Sequence, residues 1–415
     1  MLKRISVKQL RLGMHIHELC GSWMDHPFWR GAFQLDSQKD LQTILATSIK
    51  EVWIDNAKGL DVSVEAGEPE AVTENAAAAE VEATLARADI NVKVVERVNI
   101  AQEAARAVKI CAKSKQAVTS MFNEARMGKA LSADDALPIV EEISTSVMRN
   151  PGALISLARL KDKDDYTYMH SVAVCALMVS LARQLGLDEA QTRQAGLAGL
   201  LHDVGKMMIP VGILNKPGKL TDEEFEAVKN HPTQGHQMLL EGTGIGEIAL
   251  DVCLHHHEKM DGSGYPEHLA SNQISLYAKM AAVCDVYDAI TSNRPYKNGW
   301  EPAESIQKMA EWSKGHFDPT IFEAFVKSVG IYPIGSLVKL ESNQLAVVIE
   351  QTQKSLLTPH VKVFFSIKSN ARIPAEMLDL SKPACRNKIV SRENPEKWGI
   401  RDINELWSGV QSPHW

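Results

Sequence analysis

Hydrophobic spacing divides this 415-residue chain into stretches of different period. Apolar and polar positions alternate in ISVKQL near the start and again in KEVWIDN at 50–56, with a helical stretch near 37–48 between them. Residues 1–65 therefore read as a small α+β domain. Within it, GSWMDHPFWR at 21–30 gathers two tryptophans and a phenylalanine around a His-Pro turn, which fits a local aromatic core better than a ligand or partner surface. AGEPEAVTENAAAAE at 66–80 is rich in Ala and Glu and has no aromatic residue, so 66–91 is expected to be a linker or a poorly packed segment. Helical spacing then runs from about 92 to 128, where Val94, Val98, Ala101, Ala105, Val108 and Ala112 recur every three or four positions. That stripe either packs on its own domain or forms the seam of a homodimer. A second helix near 132–149 stops before Asn150-Pro151, so 92–150 reads as a helical connector.

From 151 to 330 the spacing is helical, through LISLARLK, SVAVCALMVSLARQLG, EAQTRQAGLAGLLHDVGK, DEEFEAVKNHPTQGHQMLL, GEIALDVCLHHHEK, SLYAKMAAVCDVYDAITS and PAESIQKMAEWSKG. After Phe317 the character changes. GSLVKLE, LAVVIEQ and HVKVFFSI are β-like, with turn signals at Asn343-Gln344 and Thr358-Pro359. A β appendage is expected at about 331–380, and a tail with a short helix around DINELW completes a C-terminal extension over 331–415. The fold class is mainly α, with a small α+β domain in front and a small β appendage behind. The length fits roughly two to three domains.

Composition narrows the function classes. An apolar fraction of 45% is globular, and a net charge of -7 argues against non-specific binding to nucleic acid or an anionic membrane. The six cysteines are scattered with no CxxC pair, which favours a reducing compartment. The N-terminus has no apolar h-region, and the apolar stretch near 172–182 is interrupted by serine and reads as too short to span a bilayer. A cytoplasmic protein without a membrane span is expected.

The candidate chemistry lies in five segments: YMHS around His170, HDVGK at 202–206, NHP around His231, HHHEKMDGSGYP at 255–266 and VCDVYDAITSNRPYK around Asp285. His202 and Asp203 are adjacent. Neighbours on a helix point about 100° apart, so both reach one cluster only near a helix end or kink, which Gly205 suits. His170 alone would read as a satisfied core histidine. Taken together, His170, His202, Asp203, His231, His256, His257 and Asp285 are seven candidate ligands in a mostly apolar helical region. Burying so many imidazoles without metal would be costly. Imidazoles with a carboxylate able to bridge suit a site for two divalent cations.

With these segments in view, residues 145–330 resemble an HD-GYP domain, a branch of the HD metal-dependent phosphohydrolases. The matching residues are HDVGK at 202–206, HP at 231–232, HHE at 256–258, DGSGYP at 261–266 and D-x-x-D-A-x-T-x-x-R-P-Y-K from Asp285 to Lys297, with His170 at the family's first histidine. LGMHIHELCGSWMDHPFWRGAFQL similarly resembles a small domain often found ahead of HD-GYP modules. The resemblance implies an HD-type helical bundle and a phosphodiesterase acting on cyclic di-GMP with iron, or else manganese. It implies that His170, His202, Asp203 and Asp285 serve one metal and His231, His256 and His257 the other, with Asp203 bridging. His255 then reads as a helix neighbour of the ligand pair.

On that reading, cations sharing a water bring its pKa toward neutrality, and the resulting hydroxide attacks phosphorus in line. Lys206 is placed to neutralise a non-bridging phosphate oxygen, and Arg294 and Lys297 to hold a second phosphate. Gly264, Tyr265 and Pro266 form a turn with an aromatic face for guanine or the substrate groove, or else a docking surface for a diguanylate cyclase. Glu258 and Asp261 are candidates to orient ligands. His316 and Asp318 in GHFDP read as a structural cap. Two rivals stand beside this reading. Another HD phosphohydrolase, such as a nucleotidase, is opposed by GYP and RPYK; a cyclic di-GMP sensor without turnover is opposed by the intact ligand set.

Some HD-GYP enzymes hold a third metal through a glutamate one turn before the first histidine. Here Tyr166 stands there, and a neutral phenol is a poor ligand for a divalent ion. Metal quantification on the loaded protein is therefore expected to give about two equivalents per chain. A value of about three, with anomalous density beside Asp165 or Tyr166, would contradict the expectation.

Overall fold

The N-terminal residues form β1 (Leu2–Ser6), β2 (His15–Leu19), β3 (Phe33–Gln34), β4 (Glu51–Asp55) and β5 (Val72–Thr73), with α1 (Gln38–Leu45) before β4. The structure is a computed structural model, and its described residues are 1–20, 32–47, 49–62, 72–88, 98–160, 166–214, 216, 220–292, 299–352 and 355–410. The aromatic segment 21–30 lies outside them. The strands make one antiparallel sheet in the order β3-β2-β4-β1-β5, with Leu2 opposite Asp55 and Ser6 opposite Glu51. Ser37 caps α1 by accepting from the Asp40 amide at 3.3 Å. Ile5, Ile16, Phe33, Ile44, Val52 and Ile54 fill a core belonging to this domain alone.

Two sequence expectations change here. The Ala/Glu-rich stretch is not all linker: Glu74–Ala88 is a helix, α2, that buries Ala77, Val81, Leu85 and Ala88. Alanine is the strongest helix former, so a composition that suggests a spacer also suits a helix that packs closely. The next helix, α3 (Ile100–Arg126), presents a different face from the stripe read in the sequence. Ala104, Ala107, Cys111, Ser114, Val118 and Phe122 are buried, whereas Ala101, Ala105 and Ala112 are exposed. Val94 lies outside the described residues. Alanines on adjacent faces satisfy two overlapping stripes, and tertiary packing chooses between them.

The helical region continues with α4 (Ala133–Arg149), α5 (Pro151–Ala158), α6 (Tyr166–Leu185), α7 (Glu189–Leu201), α8 (Val211–Leu214), α9 (Asp222–Lys229), α10 (His231–Leu240), α11 (Glu247–His255), α12 (Leu276–Thr291), α13 (Pro302–His316) and α14 (Pro319–Val329). Asn150 ends α4, and its side chain accepts from Gly152 N at 3.1 Å to start α5. α6 is the axis of the bundle, in contact with α3, α4, α5, α7, α12 and α14. By length and composition it could cross a bilayer, contrary to the reading of its apolar stretch as too short. Instead it is mostly buried inside the protein.

A second antiparallel sheet follows, made of β6 (Leu337–Leu340), β7 (Gln344–Glu350), β8 (His360–Ser366), β9 (Ala371–Asp379) and β10 (Ile389–Arg392), in the order β10-β6-β7-β8-β9, before α15 (Ile403–Ser408). β10 comes from the tail, so the sheet extends past residue 380. β7 explains the continuous run LAVVI. Leu345, Val347 and Ile349 join the core of the bundle, while Ala346 and Val348 join a smaller core on the other face.

α3 and α4 are pinned by one buried carboxylate. Glu103 is fully buried and accepts from Arg149 Nε at 2.7 Å, Arg149 Nη2 at 2.8 Å and Ser146 Oγ at 2.7 Å. Burial would raise this carboxyl, but the bonds from Arg149 and Ser146 outweigh it and hold it below its usual value. Glu103→Ala is expected to destabilise the protein by about 2–3 kcal/mol, under the ~3–5 of a wholly buried pair because Arg149 reaches solvent. Because the folded-state pKa is depressed, this contribution is full above about pH 4.3 and disappears as pH falls through the lower folded value. Denaturant unfolding of both proteins at neutral and acid pH checks this; a gap that widens with acidity would contradict it.

Candidate metal centre

The site begins where α7 stops. His202 still has helical angles, whereas Asp203 has φ -103° and ψ 10° and opens a 3-10 helix over Val204–Met208. This change of winding lets two adjacent side chains face one space, as the HD pair requires. Gly205 then allows a close approach: a Cβ there would lie 1.9 Å from the His231 carbonyl oxygen. Gly235 gives the same clearance towards Cys253 and Gly205. These glycines bring the start of α10, with His231, and the end of α11, with His256 and His257, onto Asp203. Arg126 of α3 steadies the 3-10 helix by donating to the Met207 carbonyl at 3.2 Å.

All seven expected ligands meet in one buried cluster. Asp203, His231, His256 and His257 form one group and His170, His202 and Asp285 another; within each, the ligating atoms lie within 4.8 Å of one another. Asp203 stands between them. Its Oδ2 faces His170 Nε2 at 3.4 Å and His202 Nε2 at 3.5 Å, and its Oδ1 faces His231 Nε2 at 3.2 Å and His256 Nε2 at 3.7 Å. Asp285 Oδ1 lies 2.9 Å from His170 Nε2, and its Oδ2 lies 3.9 Å from His257 Nδ1.

The imidazoles are oriented from outside the cluster. His202 Nδ1 donates to the Gly199 carbonyl at 2.8 Å, His231 Nδ1 to Val228 at 2.7 Å, and His256 Nδ1 to Val252 and Cys253, both at 3.1 Å. Fixing the proton on Nδ1 turns each Nε2 lone pair inward. Among the described residues, His202 Nε2 and Asp203 Oδ1 have no hydrogen-bond partner although both are buried. Buried acceptors in that condition suit a cation.

The electrostatics agree. Burial, reinforced by the neighbouring histidines, holds His257 well below its usual pKa, and burial lowers His231 and His256 as well. These rings stay neutral. Burial would raise Asp203, but the Lys206 ammonium, with His202, His170 and His231 close by, holds it well below the carboxylate range. Asp285 is likewise depressed, because His170 and His202 outweigh its burial. His170 shows the complementary effect: burial would lower it, yet Asp203, Asp285 and Asp288 raise it to about 10. Three buried carboxylates against rings of which His231, His256 and His257 stay neutral make a site that demands positive charge.

Asp288 was not singled out in the sequence. It is buried and accepts from His170 Nδ1 at 2.6 Å. The signal was its position three residues after Asp285, one turn along the same helix face. Two other expectations are corrected. Glu258 does not orient a ligand; it accepts from the amides of Glu267 at 2.7 Å and Leu269 at 3.0 Å, closing the loop that carries GYP. Asp261 faces Lys50 of the N-terminal domain and accepts from Ser263. Its carboxylate is spoken for by partners away from the cluster. His255 pairs with Asp251 at 2.8 Å, and Asp318 caps α14 through Thr320 and Ile321.

Lys206 pairs with Asp203 Oδ2 at the mouth of the cluster. Gly264 packs where a Cβ would lie 2.4 Å from Glu258 Cα, and that approach lays Tyr265 on the His257 ring at 4.7 Å between centroids and 27° between planes. Pro266 follows in the same loop. Arg294 and Lys297 lie outside the described residues.

Comparison with known proteins now has a site to meet. The family model described as HD domain matches residues 150–321, and one described as Domain of unknown function (DUF3391) matches 2–136. The chain is 56% identical over 411 residues, 99% of its length and 96% of the relative's, to the Pseudomonas aeruginosa protein named cyclic di-GMP phosphodiesterase PA4108. The chain belongs to the HD-GYP family. A Thermotoga maritima cyclic di-GMP phosphodiesterase is 38% identical over 166 residues, 40% of this chain and 45% of that one. Among solved structures, an HDG"Y"P protein from Bdellovibrio bacteriovorus, Bd1817, is 16% identical with a TM-score of 0.45, covering 79% of this chain and 98% of that one.

For an HD-GYP protein the outer contact to His170 has a direct test. Asp288→Ala removes the acceptor that orients a ring in the cluster. It is expected to weaken metal binding about 10–100-fold with the fold intact, as measured by metal titration alongside circular dichroism. Wild-type affinity in a folded Asp288→Ala protein would contradict this role.

Proposed function

We propose that this chain is a metal-dependent phosphodiesterase that hydrolyses cyclic di-GMP to pGpG, to GMP, or to both. The observation that carries the reading is the placing of two histidine groups against the two oxygens of one buried carboxylate, Asp203. His170, His202 and Asp285 would hold one divalent cation and His231, His256 and His257 the other, with Asp203 shared. Membership of the HD-GYP family supports iron, with manganese as the second choice, and mixed imidazole and carboxylate donors accommodate either. When bound, such cations act as Lewis acids and acidify water at neutral pH.

The chain's own residues supply the rest. Asp203 would be taken up by the cations when they bind, which would leave the Lys206 ammonium for a non-bridging phosphate oxygen. Gly264, Tyr265 and Pro266 form one wall of the substrate groove. Arg294 and Lys297 follow the end of α12 closely and supply charge for the second phosphate. Six free cysteines support a reducing, cytoplasmic setting.

The test is direct. Iron- or manganese-loaded protein is incubated with cyclic di-GMP and the products are separated by chromatography. Hydrolysis is expected. Asp203→Ala is expected to lose metal and at least about 100-fold in activity, whereas Arg294→Ala and Lys297→Ala keep the metal and raise KM. Tight nucleotide binding without hydrolysis under either metal would favour a sensor. If Arg294→Ala loses metal but binds substrate normally, the role given to that loop is wrong.

A further inference from the structure

The loop that carries GYP is held from a second side, by the domain at the front of the chain. Lys50 stands just before β4. Its carbonyl accepts from the Val7 amide at 2.9 Å, and the preceding Ile49 is buried in the N-terminal core. Its backbone is therefore fixed, and its ammonium pairs with Asp261 Oδ2. Asp261 is the first residue of DGSGYP. Its amide donates to the Gly315 carbonyl at 2.9 Å, and the Met260 amide to that of His316 at 3.3 Å. Gly315 has φ 79°, and at that kink in α13 a Cβ would lie 3.2 Å from Asp261 Oδ2. The N-terminal region also grips α13 itself, through Glu18 to Lys308 at 2.8 Å and Glu80 to Lys314. Beyond Asp261 the loop returns to the cluster. The Tyr265 amide donates to the His257 carbonyl at 3.3 Å, and its ring covers that of His257.

We propose that Lys50 is a positioning residue for hydrolysis: through Asp261 it sets the GYP loop, and so fixes Tyr265 against His257. This rests on the phosphodiesterase reading above, and it gives the N-terminal domain a task at the site without placing any of its residues among the ligands. A displacement of that domain that moved Lys50 would release the loop and loosen one wall of the centre.

A double-mutant cycle tests the proposal in the full-length, metal-loaded protein, with kcat and KM for cyclic di-GMP measured separately. Hydrogen exchange of the Tyr265, Glu267 and Leu269 amides is read in parallel. The last two donate to Glu258, so they report loop closure without any assay of turnover. Lys50→Ala and Asp261→Asn are each expected to lower kcat about three- to fivefold, within the strength of a part-exposed ion pair, and to speed exchange at the three amides. The double variant should be no worse than the worse single one, and Lys50→Arg should retain wild-type values. Unchanged kcat and exchange in Lys50→Ala would overturn the proposal. So would additive losses in the double variant. A wild-type protein that fails to hydrolyse the substrate counts against the phosphodiesterase reading; the exchange data then still decide whether Lys50 holds the loop.

Discussion

Everything around the centre answers to one buried charge. Asp203 has no exposed surface, and a carboxylate in that position is stable only when matched by positive charge or several donors. Its neighbours are mostly neutral imidazoles, whose own burial keeps protons off His231, His256 and His257. The balance therefore comes from Lys206 at the rim and from a proton on His170, the proton giving way where cations bind between the rings. The outer hydrogen bonds follow from the same constraint. A histidine whose Nδ1 donates to a carbonyl can present only Nε2 to the centre, and helix ends supply such carbonyls because their last residues lack intrahelical donors.

The scaffold makes this arrangement rigid where rigidity is useful. α6, which brings in His170, is buried among six other helices, and the same core extends into α2, α3 and the inner face of the C-terminal sheet. Side chains on such elements keep their geometry, with little freedom to collapse. The N-terminal sheet differs. It has its own core and meets the bundle partly through charge pairs, Lys308 with Glu18 at 2.8 Å and Lys50 with Asp261. Polar interfaces of that kind permit relative movement.

How far the sequence reveals this depends on the physics of each feature. The His/Asp cluster is legible because histidine beside aspartate at a helix end has few uses in an apolar bundle. Asp288 was visible in the D-x-x-D spacing but lacked a sign of its own, since its role depends on which ring α6 turns towards it. α2 escaped because alanine-rich composition describes a spacer and a close-packed helix equally well. α3 was found, but on the wrong face, because its alanines offer two stripes and only the packed partners select one. On proximity in sequence, Glu258 and Asp261 read as side chains that orient the histidines. Their carboxylates instead hold backbone amides and a lysine from more than two hundred residues away, a contact that no local pattern announces.

Those two carboxylates mark a division of labour within the site. The His170, His202 and Asp285 side rests on α6, α7 and α12, deep in the core. The wall beside His257 rests partly on a loop, and the loop is closed by Glu258 within the catalytic domain and by Lys50 from outside it. Hydrophobic packing sets the first half and resists change, since a packed interior has few alternative arrangements. Ion pairs and hydrogen bonds set the second, and each is weak enough to be broken by a modest input. A fixed centre with an adjustable wall separates the residues that do the chemistry from those that set the loop. The tyrosine of GYP sits where the two halves meet, one face on the His257 ring and its backbone on the loop that the ion pair holds.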